Sequence, residues 1–343
     1  LSGDGQAQIA VLGAGSWGTA LAVLLAASRH NVWLWGRDAA LVAALQAQRE
    51  NARYLPGILL PTAVTPTDDL GAALADVECV VFAVPSGAMR TVTREVAPHI
   101  GPEALLLSAA KGLEEGTGLR MSQVLLEMIP GAEARIVVLS GPNLAVEVAR
   151  GIPTASVAAS TNPEAARSTQ RLFLGQSAPT FRVYTGRDVI GVELGGAIKN
   201  VIAIGAGVCD GLGYGDNSKA ALMTRGLNEA LRLGMAQGAE AATFLGLSGV
   251  GDLIATGASR LSRNYRVGLA LGQGMALPAI LAELGQVAEG VPTTRVLCAL
   301  AARSGVEMPL CAALHALLFE NRAALDVIRE LMLRPPREEG FER

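Results

Sequence analysis

The segment Ile9-Ala10-Val11-Leu12 runs directly into Gly13-Ala14-Gly15-Ser16-Trp17-Gly18 and then into an Ala/Leu-rich stretch. This junction constrains the chain more than any other feature. It lies in the longest uncharged run, Gly5 to Ser28, which could span a bilayer, where roughly 20 apolar residues suffice. Four small residues, Gly13, Gly15, Ser16 and Gly18, interrupt that run in its middle, so a strand, a tight turn and a helix fit it better than one continuous helix. In a dinucleotide-binding turn the first glycine makes the bend, the second lets a pyrophosphate approach the backbone, and the third allows close helix–strand packing. Free N–H groups at the helix start then bind the phosphates.

Composition narrows the alternatives. Glycine supplies 40 of 343 residues, about 12% against a usual value of roughly 7%, so backbones must approach something closely, or turn sharply, many times. Mean hydropathy is +0.37, yet the glycine-broken run above argues against a spanning helix. A secretory leader is disfavoured because the first residues carry Asp4 and no Lys or Arg. The first eight residues, LSGDGQAQ, read as a partial processing remnant outside the fold. Net charge is 28 − 31 = −3 and the pI is near 5.8, which leaves no basic footprint for nucleic acid. Cys79, Cys209, Cys298 and Cys311 form no CxxC pair, as expected of reduced thiols in the cytoplasm. His30, His99 and His315 have no metal-ligand spacing, so no metal is expected. At roughly 150 residues per domain, the length implies two domains.

The first half alternates short apolar runs with Ala/Leu-rich stretches, the rhythm of a parallel sheet covered by helices on both faces. Strands are expected at Ile9–Leu12, Val32–Trp35, Cys79–Val84, Leu105–Ser108, Ile136–Ser140 and Thr154–Ala158, with helices at Gly18–Ser28 and Asp38–Arg49. From Val189 onward long Ala, Leu and Gly stretches predict an all-helical second domain. The division falls near Tyr184 to Asp188, giving domains 1–187 and 188–343 with the active site between them.

At the adenosine end, an NAD-preferring fold usually places an acidic residue about 20 positions after the glycines. Gly36 and Arg37 stand there, and a guanidinium suits a 2′-phosphate, so NADP is favoured over NAD. Asp38 next door reads as a helix-start residue. Three further loops follow strands: Val84-Pro85-Ser86, Ser108-Ala109-Ala110-Lys111-Gly112 and Ser140-Gly141-Pro142-Asn143-Leu144-Ala145. Lys111 projects from a strand's carboxyl end, and Asn143 either caps a helix or touches the ligand.

In the second half, Leu194 to Gly205 is apolar or small on nearly every side, with Lys199 and Asn200 in its middle. Such a helix is buried, and a desolvated lysine has a lowered pKa suited to moving protons near neutral pH. Gly195 and Gly196 are read as giving a ligand room to reach it. Asp252, in Gly249-Val250-Gly251-Asp252, either holds Lys199, bonds a substrate hydroxyl or caps the next helix. Ser262, Arg263 and Asn264 lie in the densest basic patch of the half, a phosphate-type site. Glu289, in a glycine-bounded turn with Val287, either meets ribose hydroxyls or is a solvated loop acid.

Together these residues resemble the bacterial NAD(P)-dependent glycerol-3-phosphate dehydrogenase family. The resemblance runs over GAGSWGTALA, VPS, SAAKGLE, SGPNLAVEVA, GGAIKNVIAIGAGVCDGLGYGDNSKAALMTRG, GVGDLIAT and SRNYRVG. It implies a Rossmann-type α/β domain followed by an all-α domain like that of 6-phosphogluconate dehydrogenase. It also implies a cytoplasmic homodimer that interconverts sn-glycerol 3-phosphate and dihydroxyacetone phosphate for phospholipid synthesis. By position, Lys199 is similar to the family's proton acceptor, and Lys111, Gly141, Asn143, Asp252, Ser262, Arg263 and Asn264 to its substrate residues. Ser16, Trp17, Arg37, Tyr54, Lys111, Ala145, Arg263, Val287 and Glu289 match cofactor positions, beside Gly13, Gly15 and Gly18. Asn143 departs from the family's usual Ser or Thr, and Ala258 from its usual small polar residue or Cys.

Two rivals stand beside this reading. A β-hydroxyacid dehydrogenase of the 6-phosphogluconate type would place Asn four residues after its lysine, where Ala203 stands. A nucleotide sensor without turnover would have no use for Lys199, Asp252 and the arginine island together.

Overall fold

The computed structural model describes residues 6–174, 180–336 and 338; of the expected remnant LSGDGQAQ, residues 1–5 lie outside them, whereas Ala7 is buried in the core and Gln8 begins the first strand, so its last residues belong to the fold. Two compact units emerge, Leu1–Ala110 with Met121–Val189, and Lys111–Arg120 with Ile190–Arg343. A single division at 187 therefore needs a correction: the ten residues from Lys111 to Arg120 belong to the second unit. The reason lies in their packing. Leu113 is buried in the second unit's core, and Arg120, which bridges back to Leu113, pairs with Glu193 at 2.5 Å.

In the first unit the strands are β1 (Gln8–Leu12), β2 (Asn31–Trp35), β3 (Glu50–Asn51), β4 (Leu55–Leu59), β5 (Val64–Thr67), β6 (Cys79–Phe82), β7 (Leu105–Ser108), β8 (Ile136–Ser140), β9 (Thr154–Ala159) and β10 (Phe181–Gly186). Helices α1 (Ser16–Ala27), α2 (Ala39–Gln48), α3 (Leu70–Leu74), α4 (Met89–Val96), α5 (Met121–Met128), α6 (Ala145–Ala149) and α7 (Pro163–Leu172) intervene. An eight-stranded sheet has the order β10-β9-β8-β7-β6-β1-β2-β5, and β3 pairs with β4 separately. The run from β5 to β8 is the doubly wound nucleotide order, whose direction reverses between β1 and β6.

Every expected strand is present, and the sheet holds two more, β5 and β10. It is mixed rather than purely parallel, because β8 and β9 run antiparallel. The chain returns from β8 to β9 through residues 141–153, which hold the five-residue helix α6. The all-apolar runs are explained by burial: Ile9, Val11, Leu107, Val137 and Leu139 sit in one core. The part of the Gly5–Ser28 run among the described residues resolves into β1, the glycine turn and α1.

The second unit is helical: α8 (Val189–Gly211), α9 (Asp216–Ala236), α10 (Ala241–Phe244), α11 (Asp252–Ala258), α12 (Arg263–Gly272), α13 (Leu277–Leu284), α14 (Gly290–Ser304), α15 (Pro309–Phe319) and α16 (Ala324–Met332). Helix α8 is long and apolar enough to cross a membrane, but 89% of its most apolar window is buried. It is the axis around which the second core packs, and glycines set how closely. A Cβ at Gly207 would lie 2.1 Å from Tyr265 O, and one at Gly268 1.9 Å from Ile204 O, so α8 and α12 cross backbone to backbone. All four cysteines are free, and the Cys298 and Cys311 sulfurs lie 3.5 Å apart.

Candidate functional site

In the first unit, two glycines of the turn are closed in by protein and the one between them is open. Gly13 adopts φ +115° and a Cβ there would strike Ala83 O at 2.8 Å; at Gly18 it would strike Gly13 O at 1.9 Å. At Gly15 it would meet nothing within 4 Å, so that face of the turn is open. No side chain caps α1 and no acidic residue occupies its first turn, which leaves the N–H groups at its start for an anion. The Asn51 amide donates to Ala14 O at 2.9 Å and Thr19 Oγ1 at 2.8 Å, tying the β3–β4 hairpin to this turn.

Ser16 and Trp17 begin α1, and the buried indole Nε1 of Trp17 has no hydrogen-bond partner among the described residues. Arg37 is exposed just beyond β2. Asp38 is the N-cap of α2, its Oδ1 accepting from Ala40 N and Leu41 N at 3.1 and 3.2 Å, as the helix-start reading holds. Tyr54 lies in the β3–β4 turn, half-buried. Gly141 has φ +142°, and a Cβ there would crowd Ala155 O and Ser156 Cα at 3.0 Å. Asn143 caps nothing: α6 starts after Leu144. Its Oδ1 accepts from Ser156 Oγ at 2.7 Å, while its buried Nδ2 has no partner among the described residues. Ala145 opens α6.

The second unit assembles the charged residues. Lys199, 7% exposed, and Asp252, 1% exposed, face each other with Lys199 Nζ 3.0 Å from Asp252 Oδ1. Lys111 donates to Asp252 Oδ2 at 2.7 Å. Lys199 also donates to Thr256 Oγ1 at 2.7 Å, and that hydroxyl donates to Asp252 Oδ1 at 3.0 Å. Burial pushes the Lys199 ammonium down from 10.5 to about 8, against the pull of Asp252 and with the help of Lys111. Burial alone would raise Asp252, but Lys111 and Lys199 hold its carboxyl below the usual range. Asp252 holds Lys199, and the capping reading is the one overturned, since the N-cap of α11 is Gly251 and no side chain caps it. A π-helical turn at Leu247–Gly251 leads into α11.

One sequence expectation is corrected at this point. Gly195 gives room to protein rather than to ligand, since a Cβ there would lie 2.8 Å from Ser248 O. The helix must let the Leu247–Gly251 turn approach so that Asp252 reaches the lysine.

Ser262 is the N-cap of α12, accepting from Tyr265 N at 3.2 Å, and Arg263 follows half-buried. Asn264 donates to Asn200 Oδ1 at 2.8 Å and accepts from Gly290 N at 2.9 Å. Asn200 reaches Gly196 O at 3.3 Å and Lys111 O at 3.4 Å. An amide relay thus connects α12, α8, the Lys111 loop and the turn that carries Val287 and Glu289, where Val287 is exposed. Burial lowers the Arg263 pKa and Glu289 opposes that shift, which sets Glu289 electrostatically beside the arginine.

Sequence reasoning passed over Thr256, although its place one helical turn after Asp252 is a readable signal. It also missed Glu193 and Arg120, whose pairing across 73 positions leaves no local trace. Among the described residues no group of three or more His, Cys, Asp or Glu side chains is arranged to hold a metal.

The family described as NAD-dependent glycerol-3-phosphate dehydrogenase matches in two parts, its N-terminal region over residues 8–166 and its C-terminal region over residues 188–329. A glycerol-3-phosphate dehydrogenase (NAD(P)+) of Syntrophomonas wolfei is 48% identical over 97% of this chain and 96% of its own. That of Geobacillus kaustophilus is 49% identical over 96% of each chain. The crystal structure of glycerol-3-phosphate dehydrogenase from Coxiella burnetii superposes with a TM-score of 0.90 at 39% identity, over 96% of this chain and 99% of that one. The chain belongs to the NAD-dependent glycerol-3-phosphate dehydrogenase family.

Proposed function

We propose that this chain interconverts sn-glycerol 3-phosphate and dihydroxyacetone phosphate with NAD(P)(H), supplying glycerol 3-phosphate for phospholipid synthesis. The observation that carries the proposal is the buried ammonium of Lys199, held on Asp252 and Thr256 in a chain that both parts of the family match. The turn at Gly13–Gly18 suits a dinucleotide because its middle glycine is open and its helix start uncapped. Ser16, Trp17, Arg37, Tyr54 and Ala145 would hold the cofactor with Gly13, Gly15 and Gly18 in the first unit, and Lys111, Arg263, Val287 and Glu289 are the second unit's candidate cofactor residues. Nicotinamide, when bound, supplies the hydride acceptor or donor.

The protein's own part is to bind phosphate and move one proton. In oxidation, neutral Lys199 takes the proton of the C2 hydroxyl; in reduction, protonated Lys199 returns it to the carbonyl oxygen and stabilises negative charge developing there. Asp252, shared with Lys111, holds the lysine in place. Arg263 and the Ser262–Asn264 start of α12 receive the substrate phosphate, with Gly141 and Asn143 as further substrate contacts. Arg37 at the end of β2, with Asp38 committed to its helix cap, favours NADP over NAD. The same reading makes the enzyme a cytoplasmic homodimer, which light scattering in solution tests. The deciding experiment is oxidation of NADPH and NADH by dihydroxyacetone phosphate. Turnover is expected with both coenzymes and faster with NADPH at low concentration, and Arg263→Ala should raise the KM for dihydroxyacetone phosphate at least tenfold. Binding of NADPH without turnover would leave a nucleotide sensor instead.

A further inference from the structure

We infer that Arg53, on the β3–β4 turn, is a second specificity residue for the 2′-phosphate of a dinucleotide, acting beside Arg37. The inference deepens the NADP reading above and rests on it.

Three observations place Arg53. Its Nη1 lies 3.3 Å from Asp38 Oδ2, with the two side chains 59% and 49% exposed. Its guanidinium carbon stands 5.0 Å from the centre of the Tyr54 ring. The hairpin that carries it is fixed to the nucleotide turn through the buried amide of Asn51. Arg53 is therefore held near the end of β2 by a connection that sequence distance conceals.

Asp38 gives the arrangement its chemical sense. At the end of the second strand a carboxylate ordinarily accepts from the ribose hydroxyls of NAD. Here one oxygen of Asp38 accepts from two backbone N–H groups and the other lies on Arg53. The acid is committed; Arg53 is paired with it, and the exposed Arg37 precedes it in the chain. An exposed arginine–carboxylate pair is weak, so a phosphate dianion, which accepts charge-assisted bonds from a guanidinium fork, can draw Arg53 from Asp38. Asp38 thus acts as a competitor for Arg53 when no 2′-phosphate is bound.

Calorimetric binding of 2′,5′-ADP and 5′-AMP to the full chain tests this without turnover. Arg53→Ala is expected to weaken 2′,5′-ADP roughly tenfold and to leave 5′-AMP within about twofold, with an unchanged melting temperature because the side chain is exposed. Asp38→Asn keeps a capping oxygen but removes the competing charge, and is expected to tighten 2′,5′-ADP about twofold or more. If Arg53→Ala binds 2′,5′-ADP as tightly as the unaltered protein while Arg37→Ala does not, or if it loses both ligands alike, the role of Arg53 is overturned and the NADP reading stands. If the unaltered protein binds 2′,5′-ADP no tighter than 5′-AMP, both fall.

Discussion

Lys199 Nζ lies 3.0 Å from Asp252 Oδ1, and the other oxygen of the same buried carboxylate is taken by Lys111. One negative charge thus serves two ammonium groups. Burial makes the proton on Lys199 easy to lose; Asp252 opposes that shift and the neighbouring Lys111 charge adds to it.

The first consequence is in the pH profile. With Lys199 titrating at about 8, glycerol 3-phosphate oxidation needs the neutral amine, so kcat/KM should rise about tenfold per pH unit below 8 and level off above it. Reduction of dihydroxyacetone phosphate needs the ammonium, so its profile should be flat below 8 and fall above. Lys199→Ala should cost roughly 10²- to 10⁴-fold in kcat and abolish both limbs. Initial rates in the two directions between pH 6 and 10 check this.

Asp252→Asn tests the shared carboxylate. Removing the charge leaves Lys199 facing Lys111 without compensation, so the limb near 8 should move to lower pH in the oxidation direction. Loss of the anchor should lower kcat by up to roughly a hundredfold. A purely structural role for Asp252 would lower rates without moving the limb, so the pH profile of the variant separates the two.

Gly15→Ala and Gly18→Ala separate ligand space from protein space. A methyl at Gly18 would collide with the Gly13 carbonyl, whereas one at Gly15 meets nothing. Gly18→Ala should unfold the turn and lower the melting temperature by several degrees. Gly15→Ala should melt within about a degree of the parent, yet bind NADPH at least tenfold more weakly. Thermal denaturation and NADPH-fluorescence titration measure the pair.

Glu229 gives a stability test away from the site. Its carboxyl is buried and accepts from Leu310 N at 2.6 Å and Cys311 N at 3.1 Å at the start of α15. Burial raises it from 4.5 to about 7, so between those values the folded protein holds a proton that the unfolded chain has released. Stability should therefore decline as pH rises from 4.5 to 7, by on the order of 3 kcal/mol, and level off beyond. Urea denaturation of Glu229→Gln across that range should show the decline removed.

Much of the first unit was legible because its determinants are local. Ile9–Leu12, the three glycines and the Ala/Leu run that follows specify strand, turn and helix in one stretch. Asp38 was readable as a helix start because capping depends on the next three residues. The antiparallel β9, the edge strand β10 and the β3–β4 hairpin were not, since strand direction and pairing are settled by distant partners. In the site, Lys199 was recognisable as a charge stranded on an apolar helix. The segment Lys111–Arg120 was assigned by continuity to the first domain, because nothing within those residues announces Leu113's burial or Arg120's partner Glu193.

The sequence by itself determined the nucleotide turn, the succession of an α/β half by a helical half, and the presence of a lysine stranded on an apolar helix. These follow from short-range sterics and from the free energy of burying apolar stretches, both written in neighbouring residues. Tertiary structure alone decided that Lys111 shares Asp252 with Lys199, that Gly195 yields its space to the turn before α11, and that Asn51 ties the Arg53 hairpin to the glycine loop. Electrostatic and hydrogen-bonding partners are chosen by proximity in space, and a pKa near neutrality requires a particular balance of burial and facing charges, which exists only once the helices are packed.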